Sequence, residues 1–118
     1  MASVPDAPAA ATTTNSGTDV IITWPLPAFD GSSPITAYRI KIKDFEGIFR
    51  ENTATCDGLG ASKTTILNTR TCSVPMTDLI NTATFNLTEG TLIVAAVEAL
   101  NVIGYSPPSA ENTVGALI

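Results

Sequence analysis

The chain has 118 residues, a length that supports one hydrophobic core rather than two. Hydrophobic residues make up 44% of it and charged residues only 14%, which excludes a disordered chain or a charged coiled coil. Six basic against eleven acidic residues give a net charge of -5, so the surface repels phosphate backbones and anionic lipids. We therefore expect neither nucleic acid binding nor membrane insertion, and a single domain over residues 1–118 whose residues 1–4 are a starting or linker segment.

Catalytic chemistry is disfavoured because the chain contains no histidine. Histidine is the commonest general base near neutral pH and the commonest transition-metal ligand. The carboxylate pair Glu46 and Glu51 has no neighbouring base that would support hydrolysis. Asp30-Gly31-Ser32 fits the chemistry of a β-turn better than that of a calcium loop. We expect no enzyme, no cofactor and no metal site.

Alternation of apolar and polar residues predicts strands, and no segment shows the 3.6-residue period of a helix. The strand predictions are, in chain order, residues 20–24, 38–43, 71–76, 93–99 and 110–114, the third and fifth on weaker patterns. Trp24 and Tyr38 fall in the inward register of their strands, which indicates core positions. Prolines and glycines separate the strands at short intervals, with no helix between them. This arrangement indicates an all-β antiparallel sandwich.

Cys56 and Cys72 are the only cysteines, and 15 residues separate them. That spacing is too long for a CxxC redox motif, and two cysteines without histidine do not complete a zinc site. We expect a disulfide, which in the loop-entropy model stabilises a closure of this size by roughly 3 kcal/mol. The alternative is two free thiols in a cytosolic protein.

Two further features of the sequence concern the surface. Asn86-Leu87-Thr88 is an N-glycosylation sequon, so Asn86 is a candidate for modification. Arg39, Lys41 and Lys43 form a basic stripe on the outer face of the second strand. We interpret this stripe as a solvated sheet face with ion pairs across the strands rather than as a binding site.

Several motifs, in this order and spacing, resemble the fibronectin type III domain over nearly the whole chain. They are Pro5-x-x-Pro8, Val20-x-Ile22-x-Trp24, Ser33-Pro34-Ile35-x-x-Tyr38, Leu87-x-x-Gly90 and Val97-x-Ala99-x-Asn101-x-x-Gly104-x-Ser106. The resemblance implies a seven-stranded antiparallel immunoglobulin-like β-sandwich of fibronectin type III topology. The family usually has a tyrosine where this chain has Ile93, so the usual corner hydrogen bond of that tyrosine is absent. The long segment 45–71 is similar to divergent modules in large surface proteins of microbes or protists.

The resemblance, the cysteine pair and the acidic surface lead to a functional expectation. We expect a non-catalytic extracellular or cell-surface module of a larger multidomain protein, which mediates adhesion or spacing through contacts with other proteins. The alternatives are an intracellular interaction module, in a cytoskeletal or receptor-tail assembly, and a carbohydrate-contacting accessory domain of a secreted hydrolase. If the domain binds a partner, we expect loop residues to make the contact; otherwise their side chains pack beneath the loops. The candidates are Asp30, Gly31, Ser32, Val102, Ile103 and Tyr105.

Overall fold

Two three-stranded antiparallel sheets form the fold in the computed structural model, which describes residues 2–53, 55–60 and 63–118. In the first sheet, the strand order is β1 (Thr12–Ser16), β2 (Asp19–Thr23) and β5 (Thr71–Pro75). In the second, it is β4 (Phe49–Arg50), β3 (Ala37–Lys43) and β6 (Ala95–Leu100). Two short helices are α1 (Lys63–Thr69) and α2 (Met76–Ile80). Of the expected starting segment 1–4, Met1 lies outside the described residues.

The predicted antiparallel sandwich is confirmed, with six strands in the described residues where seven were expected. The predicted alternation in residues 93–99 matches the structure. Ile93, Ala95, Val97 and Ala99 are all fully buried, while Glu98 faces the opposite side of the sheet. Strand β6 pairs with β3, the central strand of the second sheet, over six residues.

The largest core side chains join the two sheets. Trp24 directly follows β2 and Tyr38 lies in β3, and their rings meet in a T-shaped contact with centroids 5.4 Å apart. Trp24 is 2% exposed and Tyr38 is 1% exposed. The predicted core role of both residues is therefore confirmed.

The two helices were not predicted, and that expectation of an all-strand chain is wrong in detail. Each helix buries one side chain, Ile66 in α1 and Leu79 in α2. One buried residue produces no 3.6-residue period in the sequence, and α1 is rich in threonine, which has low helix propensity. The packing of Ile66 into the common core, rather than local preference, stabilises α1.

The long segment 45–71 contains β4 and α1, and two further contacts tie it to the sandwich. The predicted disulfide is present between Cys56 and Cys72, and it joins the segment to β5. Next to it, Gly58 approaches the backbone carbonyl of Tyr38 so closely that a Cβ atom would overlap it. The segment therefore runs along β3, at a distance that a glycine permits.

The last part of the chain does not form the predicted strand at 110–114. Side-chain acceptors complement a few backbone hydrogen bonds along the edge of β6, where the Ser106 and Ser109 N–H groups donate to the Ala99 and Val97 carbonyls. The Ser106 and Ser109 hydroxyls accept hydrogen bonds from the Ala99 and Val97 N–H groups, and the Asn112 carbonyl accepts one from Ala95, each at 2.9 Å. The three residues recur every third position, the repeat of an extended polyproline-type chain rather than of a strand.

Removal of one of these hydroxyls should destabilise the domain. Ser109→Ala leaves the buried N–H of Val97 without an acceptor, which typically costs about 1–3 kcal/mol. Urea unfolding of the purified domain measures the change, and Ser16→Ala, an exposed serine in β1, is the matched control. Equal stabilities of the two variants would contradict this account of the β6 edge.

Candidate interaction surface

One end of the sandwich is assembled around Asn101, a buried residue at the end of β6. Its side-chain amide donates to the carbonyl of Ser3 at 2.7 Å and to that of Asp30 at 2.9 Å. Its side-chain oxygen accepts hydrogen bonds from the Ile103 and Gly104 N–H groups. Asn101 thus joins three chain segments, residues 2–6, 25–34 and 101–106, into one surface that we call the loop pole.

The predicted turn Asp30-Gly31-Ser32 lies in the loop pole. The Asp30 carboxylate accepts a hydrogen bond from the Ser32 N–H at 2.9 Å, as in an Asx turn. Gly31 has a φ of 82° and approaches the Ser3 carbonyl so closely that a side chain would overlap it. Its own carbonyl accepts a hydrogen bond from the Ser3 N–H. Gly31 therefore holds the loop against the N-terminal segment.

The loop pole exposes large apolar side chains. Val102 is 79% exposed and Ile103 is 53% exposed. Leu26 and Phe29, in the loop between β2 and β3, are 60% and 48% exposed and were not among the predicted residues. The sequence held a signal for them, because both are bulky apolar residues in a proline-rich loop, where no strand face is available to bury them.

Tyr105 differs from its predicted neighbours because it packs on the outer face of the second sheet. The Arg39 guanidinium lies over the Tyr105 ring, 4.0 Å from its centroid. Such a cation–π contact contributes about 0.5–1 kcal/mol at an exposed site. Tyr105 is half-buried, so it connects the loop pole to the charged sheet face.

The basic stripe on that face is paired with carboxylates, which confirms the predicted ion pairs. Arg39 donates to Glu98 at 2.7 Å, and the Lys41 ammonium lies 3.6 Å from the same carboxylate. Lys43 pairs with Glu111 at 3.0 Å. Although burial opposes ionisation of Glu98, its hydrogen bond to Arg39 and the nearby positive charges hold its pKa below the ordinary value.

Asp44 is the other carboxyl whose pKa is lowered. Burial again opposes its ionisation, but the side chain accepts hydrogen bonds from the Ile48 and Glu46 N–H groups. The Arg50 guanidinium adds a third, at 2.7 Å. These donors hold the turn between β3 and β4. Because the carboxylate is occupied by them, it is not available to act as a general base.

The candidate glycosylation site follows α2. Asn86 has a φ of 51° and a half-buried side chain between two buried neighbours, Phe85 and Leu87. Its backbone N–H donates to the carbonyl of Asn81. Among the described residues, no cluster of three histidine, cysteine or acidic side chains could hold a metal ion. The described helices are all too short or too polar to cross a bilayer.

Comparison with known proteins identifies the family. The model of the fibronectin type III domain matches residues 6–114. The chain belongs to the fibronectin type III family. A search of curated protein sequences finds no match to it.

Solved structures share this fibronectin type III fold. A titin module from human cardiac muscle matches with a TM-score of 0.62 and 24% identity, over 98% of this chain and 92% of that one. The FN1–FN3 domains of chicken CNTN1 match with a TM-score of 0.60 and 21% identity, over 92% and 31%. The twitchin kinase region from C. elegans matches with a TM-score of 0.63 and 20% identity, over 98% and 16%.

This chain covers a smaller share of those solved structures that contain several domains. This chain spans 32% and 18% of two titin structures that contain several domains, and 16% of the twitchin structure. It is thus one fibronectin type III unit of a kind that occurs in multidomain proteins.

The two lowered pKa values predict a loss of stability in acid. A carboxyl whose pKa is lower in the folded state stabilises the fold above its ordinary pKa, and this contribution disappears as the pH falls through the folded-state value. The urea concentration at the unfolding midpoint should therefore decrease when the pH is lowered below about 4. Glu98→Gln should reduce this dependence on pH, whereas Glu89→Gln, at an exposed site, should leave it unchanged. A midpoint that is constant between neutral and acidic pH would contradict the prediction.

Proposed function

We propose that this fibronectin type III domain is a non-catalytic extracellular module of a larger surface or secreted protein, in which it mediates adhesion or spacing through protein contacts. The observation that carries the proposal is the loop pole, where exposed apolar side chains lie next to a buried residue, Asn101, whose hydrogen bonds fix the loops. Val102 and Ile103 lie directly after Asn101, whose four hydrogen bonds hold their turn. A rigid, exposed apolar patch is typical of a protein contact site.

The positions of the two chain ends support the spacing role. Residue Ser3 lies in the loop pole, bonded to Gly31 and Asn101. At the other end, the backbone of Ile118 is bonded to Gly90 and Thr91, beside the start of the residues that lead into β6. Neighbouring domains in a longer chain would therefore attach at opposite ends of a body whose longest dimension is 47 Å.

The ion pairing of the carboxyl groups supports the non-catalytic part of the proposal. The two carboxyls with shifted pKa values, Asp44 and Glu98, are both held in ion pairs with arginine. Their shifts are downward, opposite to the upward shift that a general acid at neutral pH requires.

The proposed contact site predicts a specific loss of binding. Replacement of Val102, Ile103 and Tyr105 by serine should weaken capture of a partner by about 1–2 kcal/mol, roughly five- to thirtyfold, because the burial of apolar surface is the main favourable term in protein association. The immobilised domain is exposed to surface and secreted proteins of its source cells, and the bound proteins are quantified by mass spectrometry. Circular dichroism confirms that the variant is folded.

Val114→Ser is the matched control, since Val114 is 78% exposed outside the loop pole. It should capture as much partner as the unmodified domain. Unchanged capture by the triple variant, or an equal loss with Val114→Ser, would overturn the assignment of Val102, Ile103 and Tyr105 as contact residues.

The extracellular location predicts a disulfide that resists cellular reductants. Cys56 is 1% exposed and Cys72 is 5% exposed, so thiolates have little access to either sulfur. We expect a reduction potential below about -300 mV, measured by thiol alkylation and mass analysis across a graded redox buffer. A potential well above this value would favour the alternative, an intracellular interaction module.

Glycosylation of Asn86 belongs to the same proposal. When the domain is expressed through the secretory pathway, mass analysis should find a glycan that Asn86→Gln lacks. Full secretion with an unmodified Asn86 would contradict the proposed glycosylation, but it would not affect the proposal of a contact site at the loop pole.

A further inference from the structure

The apolar surface of the loop pole continues into a cleft of about 480 Å³ beside the loop that joins β2 to β3. Leu26 and Phe29 are exposed at the loop pole and also line this cleft, together with Pro34 and Ile35. The volume falls in the range of sites that accept small organic groups. The loop pole therefore has a recess of a size that accepts an apolar side chain of a partner.

The charges of the loop pole are all negative. Its three segments contain two carboxylates, those of Asp6 and Asp30, and no lysine or arginine. Both acidic residues are exposed. The Asp6 N–H donates to the carbonyl of Phe29 at 2.9 Å, and Asp30 follows Phe29 directly in the chain and lines the cleft with it. The two acidic residues thus flank an exposed aromatic residue.

Neither carboxylate lies within 4.0 Å of a lysine or arginine in the described parts of the chain. Arg39 borders the loop pole through its contact with Tyr105, but it is paired with Glu98. Arg70 is half-buried beside Trp24 and does not line the cleft. The loop pole is therefore an apolar surface with an unbalanced negative charge.

The apolar surface and its charge together define the chemistry of a partner. Exposed apolar side chains favour contact with other apolar side chains. Unpaired carboxylates attract a basic partner and repel an acidic one. Arginine suits a carboxylate next to an aromatic ring, because its planar guanidinium both donates to carboxylates and stacks on rings.

We propose that the loop pole binds a basic segment of a partner protein, in which an arginine lies next to an apolar side chain. The apolar side chain packs against Leu26 and Phe29 in the cleft. The guanidinium pairs with the Asp30 carboxylate, and the charge of Asp6 adds to the attraction. This inference rests on the proposed function, since it names the chemistry of the partner that the loop pole contacts.

Two matched peptides test this chemistry. Both are capped at each end and have five residues that alternate leucine with arginine or, in the second peptide, with citrulline, which has a similar shape and no charge. Each is titrated at low ionic strength into the purified, ¹⁵N-labelled domain, and amide shifts are followed by NMR. The arginine peptide should give saturable shifts in the loop pole and bind at least about fivefold more tightly than the citrulline peptide. Added salt should reduce this difference, because the carboxylates are exposed.

Removal of the two negative charges without a change of shape tests the carboxylates themselves. Asp30→Asn keeps the side-chain oxygen that accepts from the Ser32 N–H, so the turn is retained. The double variant with Asp6→Asn should bind the arginine peptide about fivefold more weakly and the citrulline peptide as before. Glu46→Gln with Glu89→Gln is the matched control, since it removes two charges at exposed sites outside the loop pole. It should leave both affinities unchanged.

The outcomes distinguish this inference from the proposed function. Equal affinities for the two peptides, with shifts in the loop pole, would support an apolar contact site there and overturn the basic partner. Equal losses in the aspartate and glutamate double variants would assign the attraction to net charge and also overturn it. No saturable shifts with millimolar arginine peptide would overturn it as well, while the serine variant of Val102, Ile103 and Tyr105 tests the contact site independently.

Discussion

The contact between Trp24 and Tyr38 is the interaction on which the rest of the structure depends. Trp24 directly follows β2 in the first sheet, and Tyr38 lies near the start of β3, the central strand of the other sheet, so their T-shaped packing sets how the sheets face each other.

A second constraint comes from the edge of β6. A regular neighbouring strand would satisfy this edge with backbone groups alone, whereas here the N–H groups of β6 donate to the side chains of Ser106, Ser109 and Asn112. The chain beyond β6 can therefore remain extended and contain prolines, since it does not need to donate from every residue. An edge closed in this way is also protected from pairing with another chain.

The charged groups and the apolar groups occupy different parts of the surface. Cations and carboxylates pair on the outer face of the second sheet, whereas exposed apolar side chains gather at the loop pole. The pairing leaves the sheet face with little unbalanced positive charge, which suits a spacer that avoids non-specific contacts. The loop pole, held by Asn101, remains as the surface suited to a specific contact.

The sequence by itself determined four of the strands, β2, β3, β5 and β6, together with the aromatic core and the disulfide. Alternation over residues 93–99, the inward register of Trp24 and Tyr38, and the isolated pair of cysteines are local or compositional signals, and the structure agrees with each of them. The family resemblance drew on the same signals, because ordered strands and turns are what the fibronectin type III pattern records.

Only the tertiary structure decided the helices, the β6 edge and the composition of the loop pole. Helix α1 forms because one side chain, Ile66, reaches the core, and one contact creates no period in the sequence. Asn101 bonds to Ser3 and Asp30, which are 98 and 71 residues away, so no local pattern encodes their meeting. Arg70 and Tyr38 likewise come together only when α1 packs beside β3. Each of these features depends on a partner that is distant in the chain, and such a partner is determined only when the whole fold brings the segments together.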